Sequence, residues 1–575
     1  MAKNYEEFRI HGKQMVDYIC DYVKNMDKKT VAPILVEPGF LAPQLEKEVP
    51  ELPESYQQIM DDFENKIMPG IMHWNHPNFY AYFGAGNAYP SLLGDMLSSG
   101  IAAIGFSWAS CPALTELEAI MLDWYAKALD LPEFFLSKSS NPDSVGGGAI
   151  QASASDAIFA CMCSARARAI KKLKGDNHEI HDSVYLPQLV CYASSEAHSS
   201  VEKAAKMNLV ILRIIEPDSH DSMRGDALER AIERDIARGL TPFFVVATLG
   251  TTSQVAFDNL VEIGQVCKKY PSLWFHVDGA YGGNAFLVPE MRRYKAGMEF
   301  VDSFEVNPNK LMMTAFDCTC MWVKNVLTFT EAFAVDPLYL QHQHDNNVVD
   351  LRHFGTPLSR RFRSLKLYFM FRMYGLKGLQ SYIRRVIAMG KHFEKLVKTD
   401  DRFEIRNDVI LGLACFRLLQ PDAVNQEFLA RMNASGKIHL TPAKVKGKYV
   451  IRFVANQENC NEEQINYAWK TIQQFADEIL GEIVPTEKRP TRPRLKKLNR
   501  THSQRFSFTR NVSQEIYERQ PSIQKLTDGA TPIVVIDTDS ILLSLQKATI
   551  KNKEAQERDK KIQIKHNGCN GIKGV

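Results

Sequence analysis

The stretch LWFHVDGAY, residues 273–281, is an apolar run that ends in an acidic residue, Asp278. A carboxylate at the end of a hydrophobic strand costs free energy unless a cation pairs with it. Similar apolar runs occur at LVCYAS (189–194), PFFVVATLGTT (242–252) and CTCMWV (318–323). Amphipathic stretches such as ALERAIERDIARG (227–239) separate these runs. Apolar strands that alternate with helices predict an α/β fold, with a parallel sheet covered on both faces.

The segments on either side of this alternation differ from it in composition and pattern. We predict an N-terminal helical dimerisation segment at 1–84, a large α/β domain at 85–385, a small α+β domain at 386–484 and a basic, mostly disordered tail at 485–575. The tail begins with a run free of acidic residues at 488–510, which suits either a solvated linker or a regulatory segment. The first segment carries one apolar helical face that suits packing on a partner subunit: Met15, Ile19, Tyr22, Val23 and Met26.

The bulk composition is that of an ordinary globular protein. Of 575 residues, 45% are hydrophobic and 24% are charged, and the net charge of +3 gives no general affinity for nucleic acid or membranes. The eleven cysteines are scattered and complete no metal-ligand spacing, so they suit reduced thiols in the cytoplasm and no metal site is expected. The charged start, MAKNYEEFRIHGK, does not resemble a signal peptide, and no run predicts a transmembrane helix.

Polar residues follow several of the predicted strands. The stretch GGGAIQASASDA (146–157) offers backbone N–H groups of Ser153, Ala154 and Ser155 at a helix start, where an anion binds well. His198 follows the next strand, and its imidazole can stack on a flat ring. Lys310 follows an apolar stretch, and a partly desolvated lysine amine is a nucleophile near neutral pH. Ligands of parallel sheets bind at this carboxyl edge.

These groups together describe one ligand. It has a phosphate, a flat ring, a ring nitrogen that needs a proton and an aldehyde that Lys310 can capture as an imine. Pyridoxal 5′-phosphate has all four features. Asp278 would keep the ring nitrogen protonated, which makes the ring an electron sink, and His198 and Ala280 would hold the two ring faces.

The chain from about 5 to 482 resembles the group II pyridoxal phosphate-dependent aromatic amino acid decarboxylases of animals. The resemblance rests on HWNHPNFYAYF (73–83), GFSWASCPALTELE (105–118), GGGAIQASAS (146–155), AHSSVEKA (197–204), ATLGTT (247–252), HVDGAY (276–281), NPNK (307–310) and PLSRRFRSLKLYFMFRMYG (357–375). It implies the fold type I architecture of such enzymes, with a mainly parallel seven-stranded sheet and flanking helices. It also implies a homodimer whose active site lies at the subunit interface.

The resemblance assigns roles to individual residues. It implies that Lys310 is the Schiff-base lysine, Asp278 the partner of the ring nitrogen and His198 the stacking residue. Further residues around the cofactor would be Ser153, Ala154, Ser155, Thr252, Ala280, Asn307 and Asn309. The substrate pocket would be lined by Trp74, Tyr82, Phe83, Ile104, Phe106 and Ser359.

The family also has a mobile loop whose tyrosine returns a proton to the substrate carbon. The stretch VDPLYLQHQHDNNVVDLRHFG (335–355) matches that loop, with Tyr339 in the tyrosine position. Closure of such a lid would exclude water and deliver the proton. Three positions depart from the family pattern. Gly279 and Gly282 stand where the family has alanine, and Leu311 stands where it has tryptophan. The two glycines are expected to loosen the backbone beside Asp278.

The resemblance favours decarboxylation of an aromatic L-amino acid, with L-tyrosine to tyramine as the first expectation. The stretches AYFGAGNAYPSLLGDML (81–97) and IIEPDSHDSMRGD (214–226) are similar to those of invertebrate tyrosine decarboxylases. A Dopa or 5-hydroxytryptophan decarboxylase is the first alternative, and a histidine decarboxylase is the second. A related aldehyde synthase and a non-enzymatic binding scaffold of the same fold are rival classes. The presence of His198, Lys310 and Tyr339 favours a simple decarboxylase over both.

Overall fold

The computed structural model describes residues 4–483 except 35, 85, 178, 336, 342 and 344–349, and it describes Tyr339 and Ile483 by their backbone alone. The predicted tail at 485–575 lies outside the described residues. Among the described residues, no helix is long and apolar enough to cross a membrane.

Eleven strands form two sheets in the described part of the chain. The large sheet contains β1 (Gly147–Gln151), β2 (Leu189–Ser194), β3 (Ile211–Ile215), β4 (Thr241–Thr248), β5 (Trp274–Asp278), β6 (Ser303–Val306) and β7 (Thr319–Val323). The small sheet contains β8 (Phe403–Ile405), β9 (Leu413–Leu418), β10 (Thr441–Val445) and β11 (Lys448–Val454). The order of the large sheet is β1-β7-β6-β5-β4-β2-β3, and that of the small sheet is β10-β11-β9-β8. The small sheet is antiparallel throughout.

Thirteen α-helices accompany these sheets in the described residues. They are α1 (Tyr5–Lys24), α2 (Tyr56–Asp62), α3 (Tyr89–Ile101), α4 (Pro112–Leu129), α5 (Ala154–Lys174), α6 (Ser199–Asn208), α7 (Gly225–Ala237), α8 (Leu260–Lys269), α9 (Pro308–Leu311), α10 (Val326–Thr330), α11 (Ser364–Val397), α12 (Asp422–Ala434) and α13 (Glu462–Ile483). Gly375 interrupts α11 with a φ of +63°, a conformation that glycine adopts without strain.

The alternation of side chains along each central strand divides the core between the two faces of the large sheet. In β5, Phe275 and Val277 pack into one apolar cluster, while Trp274 packs into another on the opposite face. His276 and Asp278 share the face of Trp274, because side chains two residues apart on a strand point the same way. That face is covered by α5, whose buried residues include Ile158 and Cys161. The predicted α/β fold with a mainly parallel seven-stranded sheet is confirmed.

One strand differs from the prediction. The run CTCMWV forms β7, but β7 lies antiparallel to both of its neighbours, β1 and β6. The segment between Val306 and Thr319 contains only the four-residue helix α9. A parallel connection usually contains a full helix that crosses the face of the sheet, and this segment has none, so it returns the chain in the opposite direction.

The N-terminal helix also differs from the prediction in one residue. The predicted apolar face extends to Met26, but α1 ends at Lys24, and Met26 is buried in the 3₁₀ turn that follows. No residue of α1 itself is buried in the single chain. Phe8 is 77% exposed, although an isolated helix gains most of its stability in proteins by burying its apolar face.

Candidate active site

One edge of the large sheet collects the polar residues that the sequence singles out. Strands β1, β2, β4, β5 and β6 run in the same direction, so their carboxyl ends meet at this edge. Each of the following residues lies at or directly after one of these ends: Ser153 after β1, His198 after β2, Thr252 after β4, Asp278 at the end of β5 and Lys310 after β6. Local sequence spacing therefore places all five on one side of the molecule.

Lys310 lies in α9, where its backbone N–H donates to the carbonyl of Asn307 at 2.9 Å. Its Nζ lies 5.9 Å from the ring centroid of Phe83. Burial lowers the pKa of Lys310, and the charge of Arg452 lowers it further, while the charge of Asp278 opposes this shift. A lysine amine in these surroundings loses its proton more readily than one in water, which increases its nucleophilicity near neutral pH.

Asp278 is buried, with 4% of its surface exposed. Its Oδ1 accepts a hydrogen bond from the backbone N–H of Ala280 at 2.9 Å. The charge of Asp278 raises the pKa of both His198 and Lys310, which places the carboxylate close to the two groups. A carboxylate buried in this way would stabilise a bound cation strongly, because a low dielectric strengthens the attraction between opposite charges.

His198 is the N-cap of α6, and its side chain therefore has a fixed orientation. Its Nδ1 accepts the backbone N–H of Ser200 at 3.2 Å and lies 2.8 Å from the hydroxyl oxygen of Ser200. Because Nδ1 accepts a hydrogen bond, the neutral ring carries its proton on Nε2. Burial lowers the pKa of His198, so the ring is neutral at physiological pH. A neutral, fixed imidazole can pack its face against another planar ring.

The N-terminus of α5 lies where the sequence predicts an anion site. Ser153 is the N-cap, and its Oγ accepts the backbone N–H of Asp156 at 3.2 Å and donates to that residue's carboxylate at 2.8 Å. The N–H groups of Ala154 and Ser155 belong to the first turn, where a helix has no internal acceptors for them. Such N–H groups, with the helix dipole, bind phosphate.

The two asparagines before Lys310 have different surroundings. The side-chain oxygen of Asn307 accepts a hydrogen bond from the hydroxyl of Thr319 at 2.9 Å, which ties α9 to β7. The side-chain oxygen of Asn309 is buried and has no hydrogen-bond partner among the described residues. Buried polar groups normally have partners, so Asn309 suits contact with a bound molecule. With the anion site of α5, the carboxylate of Asp278 and the amine of Lys310, these residues fit pyridoxal phosphate.

Phe83 is a predicted pocket residue that lies beside Lys310. Its ring stacks on that of Tyr281, with centroids 3.8 Å apart. The guanidinium of Arg452 lies over the same ring, 4.9 Å from its centroid, and donates to Thr441 Oγ1 at 3.2 Å. Arg452 is 5% exposed and was not among the predicted site residues. A signal existed in the sequence, since an arginine interrupts the apolar run YVIRFV (449–454).

The other predicted pocket residues form two groups. Trp74 and Tyr82 stack on each other with centroids 5.1 Å apart, and both rings are more than two-fifths exposed. Ile104, Phe106 and Ser359 lie in a second region, where the backbone N–H of Gly105 donates to the carbonyl of Arg360 at 3.1 Å. Ile104 and Ser359 are exposed. The prediction for Tyr339 as proton donor concerns a side chain outside the described residues.

The expectation that Gly279 and Gly282 loosen the backbone is wrong. A Cβ on Gly282 would lie 2.5 Å from the carbonyl oxygen of Leu249, and one on Gly279 would lie 2.6 Å from the ring of Phe304. Real Cβ atoms do not approach other atoms so closely, so the two glycines permit close packing between chain segments. In this chain the two glycines allow the segment after Asp278 to pack closely against Phe304 and Leu249.

Comparison with known proteins identifies a family that uses the cofactor that the site residues fit. The family model described as the pyridoxal-dependent decarboxylase conserved domain matches residues 38–419. The aromatic-L-amino-acid decarboxylase of Cavia porcellus is 47% identical over 479 residues, which cover 83% of this chain and 99% of that protein.

Solved structures show the same architecture. The crystal structure of Oryza sativa TDC with PLP and tryptamine superposes with a TM-score of 0.80 at 32% identity and covers 83% of this chain and 99% of that one. The 4-hydroxyphenylacetaldehyde synthase of Rhodiola rosea superposes with a TM-score of 0.76 at 34% identity, with coverage of 83% and 99%. The chain therefore belongs to the pyridoxal-dependent decarboxylases, in the group that decarboxylates aromatic L-amino acids with pyridoxal 5′-phosphate as cofactor.

Proposed function

We propose that this enzyme decarboxylates L-tyrosine to tyramine and carbon dioxide. The observation that supports an aromatic substrate is the position of Phe83 beside the amine of Lys310, where an aromatic side chain would find an apolar, planar surface. The choice of tyrosine is supported by the stretches at 81–97 and 214–226 that are similar to those of invertebrate tyrosine decarboxylases. Tyramine is a biogenic amine, so the product would suit a signalling role.

The proposed roles of the residues around the cofactor follow from their chemistry. Lys310 would bind the cofactor's aldehyde, and Asp278 would hold a proton on its ring nitrogen. His198 would pack against one ring face, and the N–H groups at the start of α5 would bind the phosphate. Bound pyridoxal phosphate supplies an electron sink for the pair left when carbon dioxide departs.

The substrate itself would be held by groups outside the cofactor's immediate contacts. The buried cation of Arg452 lies over Phe83, so it would attract and orient the carboxylate of an incoming amino acid. We propose that Tyr339 then protonates Cα from the loop at 335–355, whose closure excludes water. That assignment rests on the similarity of the loop to its counterpart in the family.

We further propose that the enzyme is a cytoplasmic homodimer and that its active site is completed at the subunit interface. The exposed apolar residues of α1 support a dimer, because no residue of this helix is fully buried in its own chain and a second subunit would cover its exposed apolar face. The exposure of Trp74, Tyr82 and Ile104 supports a shared site, because a substrate pocket normally buries most of its ligand. The unpaired state of every described cysteine suits a reducing compartment.

Mass measurement will test the dimer. Static light scattering of the full chain is expected to give twice the chain mass, and Phe8→Asp is expected to weaken self-association by at least about tenfold, because it places a charge on the face to be buried. Val184→Asp, at an apolar position that is 63% exposed and outside α1, is the matched control and should remain dimeric. A monomeric wild-type protein with full turnover would exclude the shared site.

A panel of substrates will test the choice of tyrosine. We expect kcat/KM for tyrosine to exceed that for Dopa, 5-hydroxytryptophan and histidine by at least about tenfold, because a pocket shaped to a single phenol disfavours Dopa's extra hydroxyl and the larger indole, and histidine lacks the phenol hydroxyl. Equal or higher values for Dopa would overturn the tyrosine assignment and leave aromatic decarboxylation intact. Amine should form without hydrogen peroxide or ammonia. Stoichiometric peroxide would identify an aldehyde synthase instead.

A further inference from the structure

Glu305 is a buried acid beside the proposed cofactor site that the roles above do not use. It lies in β6 directly opposite Asp278 of β5 in the parallel register. Register partners on parallel strands point to the same face of the sheet, so the two carboxyl groups are neighbours. Glu305 is completely buried, and neither of its carboxyl oxygens has a hydrogen-bond partner among the described residues.

The surroundings of Glu305 provide little positive charge. His276, two residues before Asp278, has its Nε2 3.8 Å from Glu305 Oε1, and its Nδ1 lies 2.8 Å from the hydroxyl of Ser303. Burial lowers the pKa of His276 to about 3, so its ring is neutral and forms no ion pair. The titratable groups that act on or face Glu305 are Asp278 and His276 from β5, Lys310 from α9, and Asp156 and Cys161 from α5.

Two neighbouring buried carboxyl groups do not both ionise readily, because like charges repel and each charge loses its hydration. Asp278 is better stabilised as a carboxylate, since its Oδ1 accepts the N–H of Ala280, whereas neither oxygen of Glu305 accepts a hydrogen bond from any residue that the structure describes. Burial raises the pKa of Glu305 well above its ordinary value, the charge of Asp278 raises it further, and Lys310 opposes the shift. The proton of the pair therefore belongs on Glu305.

We propose that Glu305 keeps its proton at neutral pH and so leaves Asp278 as the single negative charge of the pair at the proposed cofactor site. This inference rests on the proposed position of the ring nitrogen at Asp278. One carboxylate and one protonated ring nitrogen then balance each other, whereas two carboxylates would leave an uncompensated buried charge. Glu305 is thus a positioning residue, because it acts on the cofactor through Asp278 and fixes where the charge of the pair lies.

Infrared difference spectroscopy between the wild-type and variant full chains, each loaded with pyridoxal phosphate, will test the proton directly. At pH 7 the wild-type protein is expected to show a carbonyl band of a protonated carboxylic acid that is absent from Glu305→Gln. The control Glu299→Gln, at an exposed glutamate just before the same strand, should keep the band. An unchanged spectrum in Glu305→Gln would overturn the proposal, and so would failure of this neutral, isosteric variant to fold.

Thermal unfolding provides a second readout. A buried acid whose pKa is raised by folding makes the folded protein less stable as the pH rises above the pKa of that acid in the unfolded chain, which is about 4.3 for glutamate. The reason is that the unfolded chain releases the proton more easily than the folded one. Glutamine has no proton to release, so Glu305→Gln is not destabilised in this way. The Tm of the variant minus the Tm of the wild type should therefore increase by about 2 °C or more from pH 5 to pH 8. A Tm difference that stays constant with pH would contradict the inference.

The infrared band of Glu305→Gln and the cofactor affinity of variants at position 278 together separate this inference from the proposed role of Asp278. If Asp278 does not face the ring nitrogen, the carboxylic acid band is still lost in Glu305→Gln, but cofactor affinity is insensitive to substitution at position 278. If Glu305 is ionised, no band is lost, whatever the role of Asp278.

Discussion

Replacement of Lys310 by alanine is expected to abolish turnover, with kcat/KM reduced by about 10⁴-fold or more. The visible and near-ultraviolet absorbance of bound cofactor should disappear at the same time. The reason is chemical, because alanine has no amine to bind the cofactor's aldehyde. The structure supports this role by holding Lys310 at the carboxyl edge of the sheet, in surroundings that lower its pKa. Steady-state kinetics and an absorbance spectrum of the purified protein will measure both effects.

Two further variants make this test specific. Lys310→Arg preserves the positive charge and much of the side-chain volume but has no nucleophilic amine, so it should lose as much activity as alanine. Lys203→Ala removes an exposed lysine from α6 and should behave like the wild type. Wild-type turnover in Lys310→Ala, with a circular dichroism spectrum that shows a folded protein, would refute the assignment of the amine.

Replacement of Asp278 by asparagine should produce the second-largest effect. Asparagine is similar in size but carries no charge, so the site would lose the group that holds a proton on the cofactor's ring nitrogen. We expect kcat to fall by about 10² to 10³-fold, the size of effect seen when one electrostatic contact in a buried site is removed. Cofactor affinity should fall as well, and equilibrium titration followed by absorbance will measure it.

The charge of Asp278 and its position can be tested separately. Asp278→Glu retains the charge but moves it by one methylene, so it should retain more cofactor affinity than the asparagine variant. Asp401→Asn, at an exposed acid outside the site, is the matched control and should show no change. Equal cofactor affinity in Asp278→Asn and the wild type would show that the ring nitrogen lies elsewhere.

The sequence predicts the central sheet and its cofactor edge well because their signals are local. A fully buried strand such as β2 (Leu189–Ser194) appears as a continuous apolar run, and the end of a run marks the edge where ligands bind. Asp278 and Lys310 could be identified because each interrupts or follows such a run. The resemblance to known decarboxylases added the family, and the comparisons confirmed it.

The direction of β7 and the packing of the glycines were not predictable in the same way. Whether CTCMWV (318–323) runs parallel or antiparallel depends on whether the connection before it forms a full crossover helix, which the apolar pattern of the strands does not record. Gly279 and Gly282 have the same local signal as flexible glycines. Their tight contacts involve Phe304 and Leu249, which lie on other strands or turns and meet them only after folding.

By itself, the sequence determined the class of fold, the family and the chemical groups that follow each strand, since these depend on residue type and short-range order. Only the tertiary structure decided that Arg452 of the small sheet lies over Phe83 and that Glu305 stands opposite Asp278, with no hydrogen-bond partner for either oxygen in the described part of the chain. These relations join residues from separate strands or distant parts of the chain. Their charges and exposures depend on what surrounds them in space, and that environment exists only once the sheets have packed.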